Sequence, residues 1–225
     1  MADLEPAPAP IRNAEDFARA FDVSRETLVN LQTYADLLAQ WQKTINLVAP
    51  STLPDIWSRH FADSAQLLAL APPGAKRWLD LGSGAGFPGL VVALMLAGRP
   101  GARVAQIESD TRKAAFLAEV ARRTGAPVDI YPLRIEKTAT QANLGAIDVI
   151  TARALAPLPR LLELAQPYFS TATVGLFLKG REAPAEVEAA RATWDFTSEL
   201  EPSLTDSSGR IVVIRALKAN TEGAR

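Results

Sequence analysis

Apolar and polar positions follow two regimes along the chain, and the change comes at Pro72-Pro73-Gly74. Before it, Leu28, Leu31, Tyr34, Ala35, Leu38 and Trp41 recur at helical spacing, with Ser24 as candidate N-cap and Thr27 at the third helical position. Another helical segment spans about 53–70. After the break, short apolar runs alternate with helical stretches. Strands are predicted over Arg77–Leu81, Arg103–Ile107, Val128–Tyr131, 146–150, 173–178, 195–200 and 210–215. Helices are predicted over 89–98, Thr111–Thr124, 157–169 and 185–193. The turn at 206–209 joins the last two strands as an antiparallel hairpin. This alternation predicts a doubly wound α/β sheet, mostly parallel. The expected organisation is a disordered Ala/Pro-rich arm over 1–10, a helical extension over 11–73, a ligand-binding α/β domain over 74–218 and a flexible tail over 219–225.

Composition narrows the chemistry. Hydrophobic residues make up 48% and charged residues 22% of 225, enough for a sizeable core. The net charge of -1 excludes a globally basic nucleic-acid coat but not a local basic face. Residues 1–75 carry 5 basic and 9 acidic side chains, while 76–225 carry 19 and 16, so the larger part leans toward an anionic partner. Cysteine is absent, which excludes disulfides, Cys-ligated zinc and a thiolate nucleophile; a single histidine, His60, excludes a His-rich metal site, and no metal is expected. The longest apolar run, 90–97, is too short to span a bilayer, and the start lacks a signal peptide's pattern. A soluble, cytoplasmic protein without membrane contact is expected.

The strongest motif is Asp80-Leu-Gly82-Ser-Gly84-Ala-Gly86-Phe87-Pro-Gly89, between the first strand and the next helix. Glycines there allow positive φ and close backbone approach to a ligand. Glu108 ends the second strand, where a carboxylate can accept both hydroxyls of a ribose. Residues 84–89 also match the dinucleotide pattern G-x-G-x-x-G, so a nicotinamide dinucleotide and S-adenosylmethionine both fit. Three points favour the latter: Asp80 can hold a methionine's cationic amino end, Pro88 stiffens the loop, and a terminal hairpin closes the sheet.

These residues, with Trp41-Gln-Lys43-Thr-Ile-Asn46-Leu47, Arg59-His60-Phe-Ala-Asp63-Ser64, Arg112-Lys113-Ala-Ala-Phe116-Leu117, Arg134-Ile135-Glu136, Arg153-Ala154, Lys179-Gly180 and Arg210, resemble the bacterial ribosomal RNA small subunit methyltransferase G family, also called glucose-inhibited division protein B. The resemblance covers about 31–217. It implies a class I methyltransferase with a Rossmann-like, seven-stranded sheet and a helical extension, and a domain over 74–218 that binds S-adenosylmethionine. It implies methylation of N7 of a guanine in the decoding region of 16S rRNA, on the RNA or a small-subunit particle. Cofactor contacts carry over to Gly82, Phe87, Ile135, Glu136 and Arg153, beside Asp80 and Gly84 from the loop and Glu108 from the end of the second strand.

Reaction chemistry points the same way. Methylating base carbon C5 usually needs a Cys nucleophile, and none exists. Methylating an exocyclic amine typically uses an Asn/Asp-Pro-Pro-aromatic loop after the fourth strand, where this chain has Thr151-Ala-Arg153-Ala154. Guanine N7 brings its own lone pair and loses no proton, so no general base is expected. Arg153 reads as a contact to cofactor or guanine, or as a partner of Asp148 or Glu136. His60 reads first as a hydrogen-bonded structural residue, with RNA contact second. Trp41 and Trp57 read as core. Arg112-Lys113 and Arg122-Arg123 share a helix face that is either solvated or a phosphate track. Arg59, His60, Lys113, Lys179, Arg181 and Arg210 are the RNA-contact candidates, and a monomer is expected. An NAD-dependent oxidoreductase would need a proton donor beside the loop, which cannot be placed; a non-catalytic RNA-binding module is the other alternative.

Overall fold

In the computed structural model, which describes residues 10–141 and 143–220, seven strands form one sheet: β1 (Arg77–Leu81), β2 (Arg103–Ile107), β3 (Val128–Tyr131), β4 (Val149–Arg153), β5 (Val174–Lys179), β6 (Trp194–Pro202) and β7 (Arg210–Ala219). Their order is β3-β2-β1-β4-β5-β7-β6. Strands β1 to β5 are parallel, and β7 runs antiparallel to both neighbours. A dinucleotide-binding sheet would instead end on a sixth strand in the order 3-2-1-4-5-6. Side chains alternate across the sheet. Trp78, Val104, Val149 and Leu176 face one core; Leu79, Ala105, Ile150 and Phe177 face the other.

The helices are α1 (Ala14–Phe21), α2 (Arg25–Trp41), α3 (Asp63–Ala65), α4 (Leu67–Leu70), α5 (Gly89–Leu96), α6 (Thr111–Thr124), α7 (Ile135–Gln141), α8 (Leu158–Ala165) and α9 (Ala183–Arg191). Among the described residues no helix is long and apolar enough to cross a membrane. Helix α5 is apolar on every side, and all its residues but Met95 are buried. Such a helix needs cover on the side away from the sheet. The N-terminal helices supply it. Phe17, Leu31, Tyr34, Leu38 and Phe61 are fully buried in the same core as Leu90 and Val91, so the extension is half of that core and not an appendage. Ser24 caps α2 by accepting from the Thr27 amide at 3.0 Å.

Four expectations change. The fourth strand lies at Val149–Arg153, later than 146–150, because the Asp148 carboxylate accepts from the Lys76 and Arg77 amides and holds that residue at the entrance to β1. The segment 53–70 is not one helix: a 3-10 turn at Pro50–Thr52 and a π-helical turn at Trp57–Ala62 precede α3 and α4. Helix α7 has no apolar period (IEKTATQ) and was not foreseen. Strand β7 runs to Ala219, so residue 219, expected in the tail, belongs to the sheet; residues 221–225 and arm residues 1–9 lie outside the described residues.

Tyr34 ties the extension to the glycine loop. Its hydroxyl donates to the Ala85 carbonyl at 2.5 Å, and its ring stacks on Phe87 at 5.1 Å. Tyr34→Phe should cost about 1–3 kcal/mol, the penalty for leaving a buried acceptor unpaired. Chemical denaturation reads this directly, and an unchanged stability would mean that the bond contributes nothing net.

Candidate active site

The strand order reverses between β1 and β4, and open α/β sheets bind ligands at that crevice. Two cavities occupy it. One, of about 430 Å³, is lined by Gly82, Gly84, Phe87, Glu108, Ile135 and Glu136 among others. The other, of about 720 Å³, is lined by Arg59, Asp63, Arg153, Leu155, Thr205 and Arg210 among others. They meet at Leu47, Arg153, Ala154 and Leu155. Ala154 takes a left-handed φ of 51° as the chain leaves β4, and Leu155 then covers the loop. A Cβ on Gly82, itself at φ 66°, would lie 2.6 Å from Leu155 Cδ1.

Glu108 holds the smaller cavity's polar end. One carboxylate oxygen accepts from the Gly84 amide at 2.7 Å, the other from the Asp110 amide at 2.8 Å. Each oxygen keeps a lone pair, which suits two neighbouring hydroxyls. Ile107, Leu133, Ile135 and Phe87 give apolar walls for a flat heterocycle. This donor set fits a nucleoside with a free ribose. Glu136 lines the same cavity but is half exposed and pairs with Arg160 at 2.8 Å. Lys113 also faces this cavity, whereas it was expected at the RNA surface.

Asp80, expected to hold the methionine amino end, lies behind the loop. The loop turns over its side chain, which is 1% exposed and does not line either cavity. It accepts from Thr151 Oγ1 at 2.8 Å and from the Gly89 amide at 3.3 Å. Asp80, Thr151 and Gln106 are register partners across β1, β4 and β2, on the face that α5 covers. The carboxylate therefore anchors the loop and the start of α5 from behind. Burial pushes its pKa up to about 6 despite the donors around it.

Arg153, the last residue of β4, lies between the cavities and pairs with neither Asp148 nor Glu136. Its Nη1 donates to the Arg59 carbonyl at 3.1 Å and reaches Asp63 Oδ2 at 3.5 Å; its Nη2 donates to His60 Nδ1 at 2.7 Å. The guanidinium also sits over the Phe87 ring, 5.1 Å from its centre, and His60 stacks on that ring at 4.9 Å. A guanidinium only donates, so Nδ1 accepts and the imidazole proton is on Nε2, which meets Thr52 Oγ1 at 2.7 Å. Burial, then the charges of Arg153 and Arg59, lower the His60 pKa to about 3. His60 is thus a neutral, doubly bonded group. Asp63 stood in a motif of the resemblance and Tyr34 in the apolar period of α2, but neither was given a site role, and Thr52 and Thr205 were not singled out. A signal for Asp63 was its place in that motif, about a helical turn after Arg59 and His60.

The cations expected at the RNA surface divide. Lys179 is internal: Nζ donates to the Ala156 carbonyl at 2.6 Å and to Glu186 at 2.7 Å, with the side chain 9% exposed. At the end of β5 it ties the β4–α8 connection to α9, and it lines the larger cavity beside Glu186. Arg59 is exposed at the larger cavity, and Arg210 lines it while donating to the Ser207 and Gly209 carbonyls. Arg181 is exposed and lines neither cavity. On α6, Arg112 pairs with Asp110, and Arg122 and Arg123 with Glu119, which favours a solvated face over a phosphate track. Trp57 is core, and Trp41 packs on Phe116.

Known proteins share both sequence and fold with this chain. The model of the family described as rRNA small subunit methyltransferase G matches residues 27–221. A ribosomal RNA small subunit methyltransferase G from Parvibaculum lavamentivorans is 50% identical over 205 residues, covering 91% of this chain and 90% of that protein. The protein of the same name from Paramagnetospirillum magneticum is 53% identical over 201 residues, covering 89% and 94%. In structure, an O-methyltransferase of tomaymycin synthesis from Streptomyces achromogenes, solved with S-adenosylmethionine, superposes with a TM-score of 0.59 at 15% identity over 94% of this chain and 99% of its own. Mitomycin 7-O-methyltransferase superposes at 0.54 with 15% identity, covering 92% and 73%. At these identities the structural likeness shows the fold alone, that of class I methyltransferases.

The Asp80 carboxyl gives a testable pH signature. With its pKa at about 6 instead of 3.8, the folded state binds the proton more tightly than the unfolded chain. Its contribution to stability therefore falls as pH rises from about 4 to about 6 and stays low above that. Asp80→Asn removes this loss, so the variant should gain on the parent by about 3 kcal/mol across that window. Denaturant titrations of both proteins from pH 4 to 7 check it; a difference independent of pH would put the carboxylate outside the low-dielectric site described.

Proposed function

Because the chain belongs to the rRNA small subunit methyltransferase G family, we propose that it transfers a methyl group from S-adenosylmethionine to N7 of a guanine in the decoding region of 16S rRNA. Membership carries the reaction class, methyl transfer to small-subunit rRNA with S-adenosylmethionine as donor. The atom and the region are our reading. The observation that supports it best is the pair of cavities that meet at Arg153, one with a carboxylate for ribose hydroxyls and one wide enough for a base turned out of its stack.

When bound, S-adenosylmethionine supplies an electrophilic methyl group. Glu108 would hold its ribose, the backbone at Gly82 and Gly84 would lie along it, and Ile135 and Phe87 would flank its flat parts. Asp80 acts on the loop rather than on the ligand. The remaining work of the chain is to bind, orient and exclude water, which can lower a barrier by about 7–11 kcal/mol. N7 carries no proton, so methylation leaves a cationic base and asks for no proton acceptor. The side chains at hand agree with that chemistry. The His60 Nδ1 lone pair is taken by Arg153, Asp80 is shut behind the loop, and Glu136 is paired with Arg160.

The exposed Arg59 and Arg181 and the half-buried Arg210 are the cations we assign to RNA phosphates, with a small-subunit particle or its RNA as partner. The reading has the protein working as a monomer in the cytoplasm.

The deciding experiment maps methylated positions in 16S rRNA from cells with and without this protein. One 7-methylguanosine in the decoding region should vanish with the protein and return on incubation with protein and S-adenosylmethionine. Loss of a methyl group from another base or atom would overturn the assignment. A second expectation concerns pH. Since His60 titrates at about 3, single-turnover transfer at saturating substrates should be nearly flat from pH 6 to 8. A rate rising through about pH 6–7 would point to a histidine base.

A further inference from the structure

The larger cavity contains a feature that the reading above does not use. Asp63 Oδ1 is committed: it accepts from Gln66 Nε2 and Thr205 Oγ1, both at 2.9 Å. Among the described residues, Asp63 Oδ2 meets only the Arg153 guanidinium, at 3.5 Å. Charge-assisted hydrogen bonds run at about 2.7–2.9 Å, so this pair is too long to satisfy itself. It is close enough to serve neighbouring atoms of one ligand. Among the described residues, Arg153 bonds His60 and the Arg59 carbonyl and aims a third N–H at Asp63, which leaves Nε–H and one hydrogen on Nη2 of its five donors. Both residues line the cavity. A side-by-side cationic donor and anionic acceptor thus face the space assigned to the target base.

We infer that Arg153 and Asp63 together read the O6 and N1–H edge of the target guanine, with Asp63 as the residue that separates guanine from adenine. The inference rests on the guanine reading above. Guanine presents an acceptor, O6, next to a donor, N1–H; adenine presents the reverse, an N6 donor beside an N1 acceptor. Arginine alone would bind O6 and N7 as a fork and cover the atom to be methylated. With Asp63 taking N1–H, the guanidinium is drawn to O6 from that side and N7 is left open. The pair is also held in advance. Thr205 from the β6–β7 connection and Gln66 grip the Asp63 carboxylate, and the Leu204 amide donates to Gln66 Oε1 at 2.8 Å. Held acceptors and donors of this kind discriminate because the wrong base leaves them unpaired.

The test uses single-turnover methyl transfer to RNA carrying guanosine, inosine or 1-methylguanosine at the mapped position. Inosine keeps O6 and N1–H. 1-Methylguanosine changes only the N1 hydrogen. The parent enzyme should accept inosine within about threefold of guanosine and react with 1-methylguanosine about ten- to hundredfold more slowly. Asp63→Ala should slow guanosine to the level of 1-methylguanosine, so that the ratio between them collapses to within about threefold. A merely structural role for Asp63 would slow both RNAs and preserve the ratio, which would overturn the inference. So would a parent enzyme that methylates 1-methylguanosine as fast as guanosine, and that result needs no variant to fold. If no guanine in 16S rRNA is methylated at all, the functional reading itself falls and the inference falls with it.

Discussion

Helix α5 must be covered on every side, and much of the rest follows from that. Its sequence, GLVVALML, has no polar face to offer to water. The sheet covers one side, so the chain must bring apolar surface to the other. The N-terminal helices do this with Phe17, Leu31, Tyr34, Leu38 and Phe61. Burying each such side chain is worth about 1.5–3 kcal/mol, which makes the extension and the sheet domain one folding unit. The same helix starts at the glycine loop, so whatever covers α5 also comes to lie over the site.

That cover carries chemistry as well as hydrophobic area. The π-helical turn at Trp57–Ala62 and the start of α3 put His60 and Asp63 against the end of β4. Turns of this kind recur at functional sites because they shift side chains off the regular helical spacing. Arg153 is largely buried there, and a buried cation needs partners that are themselves well held. It has a carboxylate, a carbonyl, a neutral imidazole and the face of Phe87. The imidazole stays neutral because burial and two nearby arginines disfavour its charged form.

Two carboxylates near the glycine loop take different duties because their surroundings differ. Asp80 is sealed beneath the loop, bonded to Thr151 and Gly89, and its charge is disfavoured by burial. Glu108, one strand over, borders a cavity and is fixed by two backbone amides. A loop acid and a cavity acid cannot be told apart by residue type; depth within the fold separates them.

Local patterns in the chain already carry a good deal. Period-two and period-3.6 apolar spacing located all seven strands approximately and the sheet domain's helices except α7, and Ser24 was legible as a cap because capping is a contact within one turn. The glycine loop and Glu108 were legible because a tight turn and a strand end are local features too. What needed the folded molecule was every feature that depends on which residues meet across the sheet. Placing the fourth strand at 146–150 left Arg153 in a loop, whereas the register Trp78↔Val149 makes it the last strand residue, on the extension's side. Lys179 looked free because nothing near it in sequence shows Ala156 and Glu186 closing on its ammonium. Asp63 and Thr205 meet across 142 positions. Backbone propensity and turn chemistry act over a few residues and are written in composition and spacing; the environment of a charge is set by groups far apart in the chain, and exists only once the core has brought them together.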